Sequence, residues 1–129
     1  MRVFKNAWFD RFARKQGITD EALLEAITRI KRGLIDADLG GGVIKQRVAR
    51  AGQGKSGGFR TIILYRTAER AFFVYGFSKN SRDNIDHGEE VAFKKAATHV
   101  LWLSDRDLAR LINQKQFTEV HVHEKEISK

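Results

Sequence analysis

Residues 52–84 read GQGKSGGFRTIILYRTAERAFFVYGFSKNSRDN, and the fold turns on how this stretch divides. Residues 59–65 and 71–77 are β-branched and aromatic and apolar on both faces, as central strands covered on both sides would be. The polar Thr67, Ala68 and Glu69 between them make a turn, so the segment predicts a hairpin. A glycine-rich basic loop carrying Lys55 and Arg60 leads in, and a second basic cluster, Lys79 and Arg82, leads out. A hairpin ends beside its beginning. Four cations are therefore expected at one end of the sheet, a placement that suits phosphate.

The charge of the chain supports that placement. The 129 residues carry a formal net charge of +8, which favours an anionic partner. Between Lys45 and Arg82 there are nine Lys/Arg and one acid, Glu69, a surplus equal to that of the whole chain. The basicity is regional, and this points to nucleic acid; a solvated face that keeps the protein soluble is the competing reading.

GQGKSGG is not a nucleotide-triphosphate loop. A Walker A loop needs G-x-x-x-x-G-K-[ST] leading into a helix. Here Arg50, Ala51, Gly52 and Gln53 precede Gly54-Lys55-Ser56, so the first glycine is missing at its required spacing, and the loop leads into a strand. The glycines still permit positive φ and a close backbone approach to an anion.

Working outward, residues 43–50 (VIKQRVAR) alternate as a strand, with Ile44, Gln46 and Val48 on one side and Val43, Lys45 and Arg47 on the other. Lys45 and Arg47 share a face, spaced to track a phosphate chain; edge protection by charge is the alternative reading. Residues 36–42 (DADLGGG) are a loop by composition. Upstream, residues 2–5 form a short strand, Asn6 caps a helix AWFDRFARKQ, and Gly17 ends it. Thr19 caps a second helix whose apolar stripe is Leu23, Ile27, Ile30 and Leu34, giving a helical hairpin with a short connection. Trp8, Phe9 and Phe12 are expected in the core rather than as a base-stacking platform.

Downstream, a helix starts at Asp86 with Glu89 and Glu90 in its first turn and Val91, Ala92, Ala96, Val100 and Leu103 behind them. Ser104, with Asp107 three residues on, opens another helix carrying Leu108, Leu111 and Ile112. Residues 117–123 (FTEVHVH) form a last strand. His121 and His123 would share its face, but no third ligand sits at a convincing spacing, so no metal site and no cofactor are expected. His87 and His99 are isolated. One domain spanning residues 1–129 is expected, in the cytoplasm and with no membrane partner. The chain has no cysteine, no apolar N-terminal stretch of the signal-peptide kind, and no apolar run near the ~20 residues of a membrane span.

The order strand, helical hairpin, strand, GKSGGFR into strand, YGFSKN strand end, then helices resembles the RelE/ParE superfamily of toxins from bacterial toxin–antitoxin pairs, and within it the HigB-like RelE branch. Lys55-Ser56-Gly57-Gly58-Phe59-Arg60 carries the match, with Phe72 through Lys79-Asn80 and then Arg82-Asp83-Asn84-Ile85; the similarity runs from about Val3 to Val120. The resemblance implies an α+β fold: a small curved, mainly antiparallel sheet with an N-terminal helical hairpin and C-terminal helices. It implies a ribosome-dependent mRNA endonuclease (an mRNA interferase) neutralised by a cognate antitoxin of the helix-turn-helix kind. Gyrase-poisoning members generally lack the basic cluster. A tyrosine that some RelE proteins use near the C-terminal end has no counterpart here.

RNA cleavage through the ribose 2′-OH needs that hydroxyl deprotonated, the phosphorane charge stabilised and the 5′-oxygen protonated. No His or Glu occupies a natural general-base position in the basic segment, because Glu69 falls in the distal turn. A lysine among cations can serve instead, since neighbouring positive charge disfavours its charged form. Lys55 and Lys79 are the expected acid and base, and Arg60 the fork on the scissile phosphate. Lys45, Arg47 and Arg82 would position RNA, Asn80 would hydrogen-bond phosphate or base, and Ser56 would shape the loop against RNA. Two further classes stay open: a non-catalytic nucleic-acid binder, and an inhibitor of a protein such as gyrase.

Overall fold

The computed structural model describes the backbone of residues 1–50 and 54–121 and, apart from residues 54–56, their side chains. The chain runs β1 (Arg2–Asn6), α1 (Ala7–Gln16), α2 (Asp20–Lys31), β2 (Ala37–Gly40), β3 (Val43–Arg50), β4 (Gly54–Arg66), β5 (Arg70–Ser78), α3 (His87–Val100), α4 (Asp105–Asn113) and β6 (Phe117–Val120). These strands form one six-stranded sheet in the order β2-β3-β4-β5-β1-β6. Among the described residues only β1 against β5 is parallel. The architecture is α+β, as expected. None of the helices described is long and apolar enough to cross a membrane.

The hairpin β4–β5 is the middle of this sheet, and Ala68, at φ 63°, makes its turn. Strand alternation then sorts the side chains. On one face Ile44, Val48, Phe59, Ile63 and Phe73 pack under α1 and α2 with Phe9, Leu23, Ile27 and Ile30. On the other, Val43, Ile62, Leu64, Phe72 and Phe77 pack under α3 and α4 with Ala97, Leu101 and Leu108. A bulge intervenes in β5: Ile62 faces Tyr75 but Ile63 faces Phe73, leaving Val74 as the extra residue. Without it, Tyr75 would fall on the same face as Phe73, because strand side chains repeat every second residue. The bulge puts Tyr75 on the α3 face, beside Phe77.

The helix ends obey the capping chemistry of the sequence. Asn6, Thr19, Asp86 and Ser104 each accept from a backbone N–H of the first turn, and Asp86 with Glu89 completes a reciprocal capping box. Gly17 closes α1 at φ 71°.

Several expectations are corrected. Residues 36–42 are not all loop: Ala37–Gly40 pairs with β3 as an edge strand, and the turn is confined to the left-handed Gly40, Gly41 and Gly42. The glycine-rich segment is strand from Gly54 onward, with Gly54 opposite Arg50; residues 51–53 lie outside the described residues. Gly58 does not have a positive φ. Gly58 is needed for space instead, since a Cβ there would lie 2.1 Å from the Val48 carbonyl oxygen, where the β3–β4 register slips. Leu34 falls beyond α2 and is exposed, and α3 turns Val91 and Ala92 outward while Phe93, Ala96, Ala97 and Val100 pack inward. Trp8, expected in the core, is partly exposed at the edge of the sheet.

Candidate nucleic-acid interface

The face that carries α3 is only partly covered. Leu64 and Ile62 lie under the helices, but farther along the same alternation come Arg60 on β4, and Lys45 and Arg47 on β3. Lys45 is opposite Ile62 and Arg47 is opposite Arg60. With Asp36 and Ala37 these three cations line an open cleft of about 310 Å³. The strand pairing therefore builds one basic floor from cations on two separate strands.

The cations differ in how they are held. Asp36 accepts from the Arg47 backbone N–H at 2.7 Å and from its guanidinium at 3.4 Å. Burial raises the Asp36 carboxyl, but the bonds from Arg47 and the charges of Arg47 and Arg29 outweigh it and hold it below its ordinary value. Lys45 Nζ donates to Asn84 Oδ1 at 3.1 Å. Arg60 stands apart. Its Nη1 is buried with no hydrogen-bond partner, the one such side-chain atom among the described residues. A buried donor left unmade costs about 1–3 kcal/mol, and such exceptions in folded proteins ask for an explanation.

Arg82 is arranged otherwise than expected. It donates to both oxygens of Glu89, at 2.7 and 3.1 Å, to the Tyr75 hydroxyl at 3.0 Å and to the Asn84 carbonyl at 2.9 Å. It also lies over the rings of Tyr75 and Phe77. The Glu89 carboxylate, then the Tyr75 hydroxyl, raise the guanidinium's pKa, and Arg82 in turn lowers that of Glu89. This arginine is committed to tying the end of β5 to the start of α3. Its first use is structural, and the same is true of Asn84, which sequence reasoning uses only as part of a motif.

The β4–β5 pairing runs out to Phe59 opposite Ser78, and Lys79 and Asn80, both exposed, follow directly on in the turn that leaves β5. Lys55 and Ser56 are in β4, with side chains outside the described set. The pairing brings the end of β5, just before Lys79, beside the strand that carries Arg60. Lys55 lies four residues beyond the last β4–β5 pair, on the stretch of β4 that meets the end of β3, and Arg82 is turned to Glu89. Sequence reasoning does not single out Tyr75, Glu89 or Asp36 for these roles. Glu89 reads as an ordinary first-turn acid, and the seven-residue separation from Arg82 carries no local signal. His123 lies outside the described residues and His121 is exposed; among the described residues no group of three or more His, Cys, Asp or Glu could hold a metal ion.

Comparison with known families places this architecture. The family model of the RelE toxin of the RelE/RelB toxin–antitoxin system matches residues 1–120. The chain belongs to the RelE toxin family. It is the toxin of a toxin–antitoxin system, and a cognate antitoxin is its partner. A comparison with curated proteins found no match.

Proposed function

We propose that this toxin is a ribosome-dependent mRNA endonuclease that cuts through the ribose 2′-OH. The observation that carries the reading is the unpartnered, buried Nη1 of Arg60 in a cleft floored by Lys45 and Arg47. A guanidinium fork with an unused N–H in a basic, partly water-excluded cleft matches a phosphate that gains charge during reaction. The 2′-oxygen attacks phosphorus, the bond to the 5′-oxygen breaks, and a 2′,3′-cyclic phosphate and a 5′-hydroxyl result. Of Lys55 and Lys79, one takes the 2′ proton and the other delivers a proton to the leaving 5′-oxygen. Arg60 holds the non-bridging oxygens, and Lys45 and Arg47 carry neighbouring phosphates. Asn80, exposed beside Lys79, hydrogen-bonds phosphate or base, and Ser56 shapes the strand that presents Lys55. The ribosome supplies the mRNA, which places the action in the cytoplasm, and the antitoxin is a helix-turn-helix protein.

The test is 5′-end mapping of cellular mRNA after brief induction, with the wild type beside Arg60→Ala and Lys55→Ala. Cuts inside translated frames are expected, absent from both variants and absent when translation is blocked. Growth arrest with intact mRNA would overturn the reading in favour of a protein target.

A further inference from the structure

Beyond the basic cleft, the uncovered edge of β5 holds a second concavity. β1 pairs with β5 only as far as Phe73, so residues 74–78 have no strand on that side. α1 passes there instead, and Trp8 stacks on Phe12 at 5.1 Å and on Tyr75 at 4.7 Å. The cleft between them measures about 330 Å³, with Trp8, Phe12, Tyr75 and Phe77 in its walls and Gln16, Ser78, Ser81 and Arg82 at its rim. Trp8 is still 39% exposed, an unusual position for a tryptophan held in an aromatic stack. Gly76 forms the floor, and a Cβ there would come within 2.7 Å of the Phe12 ring. Gln16 is exposed and Ser78 half-buried at this rim.

An aromatic wall with an amide and a hydroxyl at its rim matches a nucleobase: a planar π-face to pack, and an edge with donors and acceptors. The place matches too. Arg60 is opposite Phe77 on β5, so a wall of the cleft belongs to the strand next to the one that carries Arg60. A single strand with its phosphate on Arg60 lies close enough to put an adjoining base against Trp8. Resting on the cleavage reading above, we infer that the Trp8–Tyr75 cleft is a base-binding subsite for the mRNA being cut, with Trp8 as its packing surface and Gln16 and Ser78 reading the base edge.

The experiment maps cut sites and their frequency for the wild type, Trp8→Ala, Trp8→Phe and Gln16→Ala, with Arg60→Ala as the cleavage-dead control. Losing one stacked base corresponds to a drop on the order of tenfold. Trp8→Ala should therefore cut about tenfold less often, with a flattened base preference beside the cut, while Trp8→Phe recovers both. Gln16→Ala should change the preference more than the frequency. The inference is overturned if Trp8→Ala cuts with the wild-type preference, even at reduced frequency, for that is the behaviour of a merely structural residue. It is also overturned if Trp8→Ala cuts normally but escapes the antitoxin, which would assign the cleft to a protein segment. Absence of cuts by the wild type itself would remove the cleavage reading and this subsite with it.

Discussion

The two faces of the central sheet are built from the same strands and put to opposite uses. On β3, Ile44, Gln46 and Val48 point toward α1 and α2 and are fully covered, whereas Lys45 and Arg47, one residue out of phase, face an open cleft. Even the polar members of the covered face are satisfied internally: Gln46 donates to the Leu34 carbonyl and accepts from the Asp36 N–H, and the Thr61 hydroxyl donates to the Gln46 carbonyl. The open face instead keeps Arg60 Nη1 without a partner. One side is held by burial and completed hydrogen bonds, and the other keeps a buried donor without a partner. A period-2 strand lets one sequence do both, provided the helices cover only part of one face.

The largest test of this contrast compares Phe73→Ala with Arg60→Ala. Phe73 is fully buried against Phe9, and its truncation should cost about 3–5 kcal/mol in urea unfolding. Arg60→Ala removes an unpartnered donor and should change stability by less than about 1 kcal/mol, while cleavage falls at least ~100-fold. A large loss of stability in Arg60→Ala would mean that the open face is part of the structural core.

Gly58→Ala comes next. The added methyl would meet the Val48 carbonyl oxygen at 2.1 Å, a backbone atom that moves only if β3 and β4 separate, so overpacking of about 1–3 kcal/mol is expected. Because Arg60 is two residues on, cleavage should fall as well; denaturant midpoints and cleavage rates measured together would show whether both change. Asp86→Ala should cost about 1 kcal/mol, through loss of the bond from the Glu89 N–H at 2.8 Å. The Glu89 carboxylate also accepts from the Asp86 N–H and from Arg82, so a double-mutant cycle of Asp86→Ala with Arg82→Ala should be non-additive.

Legibility in the sequence divides along the same line. The covered face can be read because its signals are local: caps at Asn6, Thr19, Asp86 and Ser104, a two-residue alternation in β3, and an apolar hairpin. β2 is hidden because DADLGGG has turn composition, and its pairing comes from β3 rather than from its own side chains. Helical spacing assigns Trp8 to the core, but it cannot show that β1 stops short and leaves α1 beside a bare edge. Val91 and Ala92 read as the start of a buried stripe because Ala92, Ala96, Val100 and Leu103 recur at spacings of four, four and three. On the open face, Lys45, Arg47 and Arg60 are legible from charge and register, but the fate of Arg82 is not. A loop arginine seven residues from a helix-capping glutamate has no sequence pattern that separates a phosphate ligand from a structural clamp.

That clamp gives the smallest effect expected here, and one whose direction is fixed by its chemistry. The hydrogen bonds from Arg82, then the bond from the Asp86 N–H, hold the Glu89 carboxyl below its ordinary value of 4.5. As pH falls, the unfolded chain therefore takes up a proton on this group before the folded chain does, and folding is weakened. The contribution of the pair is full above about pH 4.5 and disappears as pH drops through the lowered folded value. Asp36, bound by Arg47, and Glu119, bound by Arg2, are depressed in the same direction, so the wild type should lose urea resistance through all three as pH falls below about 4.5. Glu89→Gln should retain the Asp36 and Glu119 share and lose the rest, giving a smaller acid drop than the wild type. Because Arg82 and Glu89 are both partly exposed, about 1 M salt should narrow that difference further by screening. An acid drop unchanged in Glu89→Gln would show that Arg82 is not held by this carboxylate in solution, and would return it to the cations available to RNA on the open face.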